Sequence, residues 1–180
     1  MAKRSAAAEH AIAHPPQCLS GVALTALPPT DERGSEISAT FAVRCKACDG
    51  GSFRIYSYPK VVPDPSPYLG LNPGDWLLRP PHILECTACG TRACVFDPRK
   101  HGYDAVLNSW CGYECGDEGE EPAVGEFTVL IWVTYNTELG ELAESGEETG
   151  VDPSDLFDWF GIEGRSPDGA IAFTQDYECA

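Results

Sequence analysis

Four of the nine cysteines of this 180-residue chain lie in two turns of identical spacing, Cys45-Lys-Ala-Cys48 and Cys86-Thr-Ala-Cys89. Two thiolates on one tight turn can point at the same ion, and two such turns supply the four sulfur ligands of a tetrahedral zinc site. In a structural site of this kind, protein ligands fill all four positions around the metal. The spacing therefore predicts one structural Zn²⁺ held by Cys45, Cys48, Cys86 and Cys89.

Glycine follows each turn closely, in Asp49-Gly-Gly and at Gly90. Because glycine adopts a positive φ at little cost, these positions predict where the backbone reverses after the second cysteine of each turn. Four thiolates carry more negative charge than one zinc ion neutralises. We expect Arg44, Lys46 and Arg92, which are close to the sulfurs in sequence, to offset the remainder.

The two turns are separated by 37 residues, about twice the spacer of compact four-cysteine sites. Doubling a flexible loop costs only ~0.6 kcal/mol of closure entropy. Zinc binding to structural sites in small peptides is worth about 10–16 kcal/mol. The long spacer is therefore compatible with a single shared ion.

Strand patterns flank both turns. Residues 37–44 and 52–58 alternate apolar and polar side chains around the first turn, and residues 82–86 and 91–97 enclose the second. Alternation of period two is typical of half-buried strands. We expect the two strands around each turn to pair as an antiparallel ribbon, with the cysteines at its tip.

The remaining elements are predicted from local signals. Residues 19–27 have the composition of a first strand, and residues 126–135 that of a buried central strand. Residues 137–145 suit a short exposed helix, and residues 170–177 a closing strand. Asp152-Pro-Ser-Asp predicts a helix start, because aspartate caps free amides and proline suits the first helical position. That helix would run to about residue 160.

The predicted fold class is α+β and mainly antiparallel β. It consists of a zinc ribbon with a long proline-rich insertion, packed with a C-terminal strand–helix–strand segment. Residues 1–17 are predicted to be a disordered tail and residues 18–180 a single domain, with the ribbon at 35–97 and an acidic strand–helix–strand part at 111–180. Residues 59–81 hold seven of the fifteen prolines, so we expect a loop there without regular strand or helix.

Charge is distributed unevenly along the chain. Residues 111–180 contain 18 acidic residues and one basic residue. The first 110 residues contain 10 acidic and 11 basic residues. The acidic half would repel nucleic acid, since phosphate binding depends on lysine and arginine, and would attract a basic protein surface. No stretch of about 20 apolar residues is present, and many cysteines without an export signal favour a reducing cytoplasm.

Other cysteines suggest alternatives. Cys94, His101, Cys111 and Cys115 are acceptable ligands for a second metal, although their spacing is looser. Cys94 or Cys111 with His101 and Asp104 would be the candidates for a cysteine hydrolase, but no local pattern supports that geometry. A redox role for either paired turn would require a turn that opens a helix, whereas both turns lie between strand patterns.

The paired turns at Cys45/Cys48 and Cys86/Cys89 resemble the zinc ribbon group over roughly residues 37–97, with a longer spacer than its compact members have. Residues 97–104 and 176–180 are also similar to small uncharacterised bacterial proteins with paired cysteine turns, for which no activity is assigned. The first resemblance implies a structural zinc. The second implies no function.

Together these observations favour a non-enzymatic, cytoplasmic zinc-binding protein whose acidic C-terminal half contacts a basic protein partner, with nucleic acid an unlikely one. The alternatives are a nucleic-acid-associated zinc ribbon and a metal- or thiol-dependent enzyme. The sequence predicts neither the process nor the oligomeric state.

Overall fold

The computed structural model describes residues 6–28, 37–61, 76–97, 125–135, 137–145 and 157–178. Within them the chain forms two short α-helices, one 3-10 helix and eight strands. In chain order these are α1 (Ala6–Ala13), the 3-10 helix (Gln17–Gly21), β1 (Val22–Ala26), β2 (Ile37–Cys45), β3 (Phe53–Val61), β4 (Trp76–Cys86), β5 (Arg92–Phe96), β6 (Glu126–Tyr135), α2 (Thr137–Ser145), β7 (Phe157–Arg165) and β8 (Ile171–Glu178).

The described strands form one antiparallel sheet in which β6 is shared by two halves. One half has the order β1-β2-β6-β7-β8, and the other has the order β6-β3-β4-β5. Strand β6 pairs with β7 from Thr128 to Tyr135. It pairs with β2 from Leu130 to Tyr135, and with β3 at Glu126 and Phe127. The sheet therefore divides where β2 separates from β6 and β3 takes its place.

The sheet curls into a half-barrel, and its buried apolar side chains form one core cluster. Alternate residues of β2 and β3 are almost fully buried, as the two-residue period of a strand requires, whereas residues 131–135 of β6 and 160–162 of β7 are buried without alternation. Each buried large apolar side chain contributes about 1.5–3 kcal/mol relative to exposure. The fully buried members with the largest side chains are Phe41, Phe53, Phe96, Phe160, Leu19, Leu84, Ile131, Leu139 and Ile162.

Helices α1 and α2 pack against each other, and α1 also contacts β2. The buried Tyr135 at the end of β6 donates its hydroxyl proton to the carbonyl oxygens of Ala11 (3.3 Å) and His14 (2.8 Å). These bonds hold the C-terminal end of α1 against the sheet. We expected residues 1–17 to be a disordered tail, but residues 6–13 are helical because Ala11 is buried in the core and Tyr135 holds the helix end.

The predicted fold class is wrong in two respects. The strands around the first cysteine turn do not pair as a ribbon, because β2 pairs with β1 and β6 whereas β3 pairs with β4 and β6. Residues 157–160, the last part of the predicted helix, belong to β7, which pairs with β6 and β8, and residues 152–156 lie outside the described part of the chain. Among the described residues, the C-terminal part therefore contains strand β6, helix α2 and the strands β7 and β8. Pairing with two neighbours satisfies the backbone of β7 and overrides a local capping signal.

The proline-rich prediction is also only partly correct. Strand β3 extends to Val61 and β4 begins at Trp76, so strands occupy both ends of residues 59–81. Residues 62–75 lie outside the described part of the chain.

Several predictions are confirmed: strands around both turns, a short helix at 137–145, a closing strand near 170–177 and a central position for β6. The division into domains stays a prediction.

No helix among the described residues combines the length and the apolar composition that crossing a membrane requires.

Candidate metal centre

The first cysteine turn connects β2 to β3, and we call residues 45–50 the first knuckle. The amide of Cys45 donates to the carbonyl of Gly50 (2.8 Å), and the amide of Asp49 donates to the carbonyl of Cys45 (2.8 Å). Asp49 has a positive φ of 61°, which aspartate tolerates better than most residues do. Asp49 therefore adopts the left-handed backbone conformation in this turn. The sequence had predicted that conformation at the glycines that follow it.

The second cysteine turn connects β4 to β5 and repeats this geometry; we call residues 86–91 the second knuckle. The amide of Cys86 donates to the carbonyl of Thr91 (2.9 Å), and the amide of Gly90 donates to the carbonyl of Cys86 (2.8 Å). Gly90 has a φ of 72°, as its residue type predicted. The two knuckles thus share one hydrogen-bond pattern, with the left-handed residue directly after the second cysteine.

The knuckles bring all four cysteine sulfurs together, within 4.8 Å of one another. The sulfur of Cys45 is 3.6 Å from that of Cys89, and the sulfur of Cys48 is 3.5 Å from that of Cys86. For Zn–S bonds of about 2.3 Å, the edge of a tetrahedron of sulfurs is about 3.8 Å. The four side chains therefore fit a tetrahedral metal ion. They are the only group of three or more metal-ligand side chains so arranged in the described residues.

Half of this centre is buried and half is exposed. Cys45 and Cys86, which end strands β2 and β4, are 4% and 1% exposed, whereas Cys48 and Cys89 face solvent. The hydroxyl and backbone amide of Thr91 lower the pKa of Cys89 to about 6. The Gly50 amide lowers the pKa of Cys48, but hydrogen bonds with Cys89 and Cys86 outweigh it and raise that pKa to about 12.

The four sulfurs lie close enough for their negative charges to repel one another. When one exposed thiolate forms, its neighbours hold their protons, because several thiolates at van der Waals distance repel one another. A divalent cation among them removes this conflict, since it stabilises all the thiolates at once. The chemistry of the donor set thus fits Zn²⁺ or another thiophilic metal.

The basic residues near the sulfurs contact carboxylates and a backbone carbonyl, and not the sulfurs themselves. Arg44 Nε lies 3.0 Å from Asp49 Oδ1, and Lys46 Nζ donates to the backbone carbonyl of Ser20 at 3.1 Å. Arg92 pairs with Glu85 on the neighbouring strand. These contacts tie the knuckles to the surrounding chain. Neutralising the thiolates therefore depends chiefly on the metal.

The centre lies where the sheet divides. Cys45 ends β2 in one half, Cys86 ends β4 in the other, and two strands separate β2 from β4 in the sheet order. The amide of Thr87 donates to the carbonyl of Ser52 at 3.1 Å, which continues the β3–β4 pairing as far as the second knuckle. Gly50 sits against the cluster, because a Cβ there would be 3.0 Å from the sulfur of Cys86. A metal bound at this position would link the two halves.

The other candidate ligands are not brought into this centre. Cys94 lies on β5 and is half-buried, and Cys18 is buried in the 3-10 helix. His101, Asp104, Cys111 and Cys115 lie outside the described residues, so the second-metal and hydrolase hypotheses stay untested.

His82 has a role that sequence reasoning missed. It is fully buried between Ser57, whose Oγ is 2.8 Å from Nδ1, and Tyr177, whose hydroxyl is 2.8 Å from Nε2. These residues come from β4, β3 and β8, so no local sequence signal relates them. Because Ser57 and His82 are fully buried and Tyr177 is 2% exposed, this group connects strands and is not accessible to a substrate.

Comparison with protein-family models, curated proteins and solved structures gave no match. The likeness to the zinc ribbon group therefore rests on the two cysteine turns, and the fold around them differs from a ribbon.

Proposed function

We propose that this protein binds one structural Zn²⁺ through Cys45, Cys48, Cys86 and Cys89, and that the ion cross-links the two halves of a β scaffold. The convergence of the four sulfurs within 4.8 Å at the division of the sheet is the observation on which the proposal rests. A metal site within a single strand pair would add little to the stability of the fold. A site between β2 and β4 stabilises the arrangement of both halves, because the ion binds the native pairing and not the unfolded chain.

The donor set supports a structural role. Catalytic zinc sites commonly have three protein ligands and keep one position for water or substrate. Here four cysteines are available for four positions. An enzyme at this centre would require one of them to leave the metal. We therefore propose a non-enzymatic protein.

Metal content and stability test this proposal together. Purified protein should contain one zinc per chain by mass spectrometry, and Cys45→Ser and Cys86→Ser should each lose it. Cys94→Ser is the matched control, because Cys94 is a half-buried cysteine outside the cluster; it should retain the zinc. A strong chelator should lower the melting temperature of the wild type but not that of the two zinc-free variants. Equal zinc content in all four proteins would contradict the proposal.

We further propose that the acidic C-terminal part binds a basic protein partner. Exposed or half-buried carboxylates occur along β7, β8 and their turn, at Asp158, Glu163, Asp168 and Asp176. The basic side chains near the knuckles form ion pairs, as Arg54 does with Glu85 and Glu126 at 3.4 Å, and in the acidic part Glu163 pairs with Arg165. This distribution favours a cationic partner over a phosphate backbone.

A lysine-rich peptide and a DNA duplex of similar length are suitable probes. The peptide should bind, with an affinity that falls with salt, and Asp158→Asn/Asp168→Asn/Asp176→Asn should weaken it. Glu9→Gln/Glu138→Gln, on helices α1 and α2, is the control for charge elsewhere. Binding of the duplex in preference to the peptide would contradict this part of the proposal and favour the nucleic-acid alternative.

A further inference from the structure

The two histidines of the N-terminal helical segment lie beside each other. His10 and His14 are four residues apart, and the amide of His14 donates to the carbonyl of His10 at 3.0 Å, which continues the helical turn. Their ring centroids are 4.4 Å apart with an interplanar angle of 31°. Residues four apart on a helix share one face, so the spacing holds both rings on the same side.

The distance between the rings suits a shared metal ion. With metal–nitrogen bonds of about 2.0–2.1 Å, each imidazole centroid lies about 3.2 Å from the ion, and two ligands at a right angle have centroids about 4.5 Å apart. Both side chains are half-buried. The centroid distance of 4.4 Å is close to the value that two cis imidazole ligands of one ion would have.

The ring of His10 also has an unused nitrogen. Its Nε2 has no hydrogen-bond partner among the described residues, although the atom is shielded from solvent. A buried polar atom without a partner is costly, and a metal bond would remove that cost. Burial, and then the proximity of His14, lower the pKa of His10. The neutral ring, which is the form that binds metal, is thereby favoured.

We infer that His10 and His14 form a second metal site, separate from the four cysteines, which binds a divalent transition metal such as Ni²⁺ or Cu²⁺. Imidazole suits these ions, which bind nitrogen ligands more tightly than earlier metals of the series do. Two ligands leave several coordination positions for water, so the site is weaker and more exchangeable than the cysteine centre.

Calorimetric titration of zinc-loaded protein with Ni²⁺ tests this inference in a buffer that does not chelate metal. One Ni²⁺ should bind per chain, with no release of zinc. His10→Gln and His14→Gln should each weaken binding by at least about tenfold, because a single imidazole cannot chelate. Glu9→Gln, next to His10 on the same helix, should bind as the wild type does.

Equal affinity in the histidine variants, or no uptake of Ni²⁺ by the wild type, would overturn the inference. Paramagnetic broadening in wild-type protein gives a readout that does not depend on the variants folding. The imidazole NMR signals of His10 and His14 should disappear first as Ni²⁺ is added. If they persist while other signals broaden, the site is elsewhere.

Discussion

His82 of β4 and Tyr177 of β8 form a hydrogen bond inside the protein, with 2.8 Å between Nε2 and the hydroxyl oxygen. Tyr177 donates its own proton to Gln175 Oε1 at 3.1 Å. The Ser57 hydroxyl oxygen lies 2.8 Å from Nδ1, so both ring nitrogens of His82 have a hydrogen-bond partner. Strand β8 is thereby joined to β4, which lies in the other half of the sheet.

This arrangement predicts loss of stability in acid. Burial lowers the pKa of His82 from 6.5 to about 3. Between these values the unfolded chain binds a proton that the native protein does not, so the free energy of unfolding falls as the pH falls through this window. The contribution is at most about 1.4 kcal/mol per pH unit.

Urea unfolding of the wild type and of His82→Gln between pH 3 and 7 measures this contribution. The two proteins share every carboxylate and cysteine, so the difference between their pH profiles reports His82. The variant should have the shallower profile. Parallel profiles would show that His82 is protonated in the native state.

Gly50 should control metal affinity. A Cβ at Gly50 would lie 3.0 Å from the sulfur of Cys86 and 3.3 Å from that of Cys48. Gly50→Ala should displace the sulfurs by a few tenths of an ångström and weaken zinc binding by about tenfold, as changes next to metal ligands commonly do. Competition with a zinc chelator measures the affinity.

Gly51→Ala is the matched control for this prediction. The neighbouring glycine meets only Arg44 Nη1, at 3.7 Å, so its substitution should leave the affinity near that of the wild type. If both variants bind zinc with equal affinity, the close packing of Gly50 on the four cysteines does not control zinc affinity.

Gly161 of β7 should tolerate no side chain while Trp132 is present. The two residues are opposite each other in the β6–β7 pair, and a Cβ at Gly161 would overlap the indole ring. Gly161→Ala should destabilise the protein by about 1–3 kcal/mol, the usual cost of overpacking. In a double-mutant cycle with Trp132→Ala the cost should largely disappear; an additive result would contradict the direct contact.

Tyr135 should secure helix α1. Tyr135→Phe removes the donor to the carbonyls of Ala11 and His14, and should cost about 1–2 kcal/mol because buried acceptors are left without that partner. Amides of α1 should exchange faster with solvent. Tyr56→Phe is the control: its hydroxyl is 3.4 Å from Glu85 at a less buried position, so the loss should be below about 0.5 kcal/mol.

The amino-acid sequence by itself determined the four cysteines of the candidate metal centre and most of the local elements. Each turn is a local structure whose two cysteines are three residues apart, so the spacing of Cys45, Cys48, Cys86 and Cys89 identifies both turns. The strands around the turns and the helix α2 follow from periodicity in the same way. These features depend on residues that are near each other in the chain.

Only the tertiary structure decided which strands pair and what the interior contains. The capping signal at residues 152–155 predicted a helix, yet the following residues form β7, since pairing with β6 and β8 is stronger than a local preference. The group of His82, Ser57 and Tyr177 spans 120 residues of sequence. The four cysteines lie at the division of the sheet because β6 pairs with different strands along its length. Such relations arise from long-range packing, which no local pattern records.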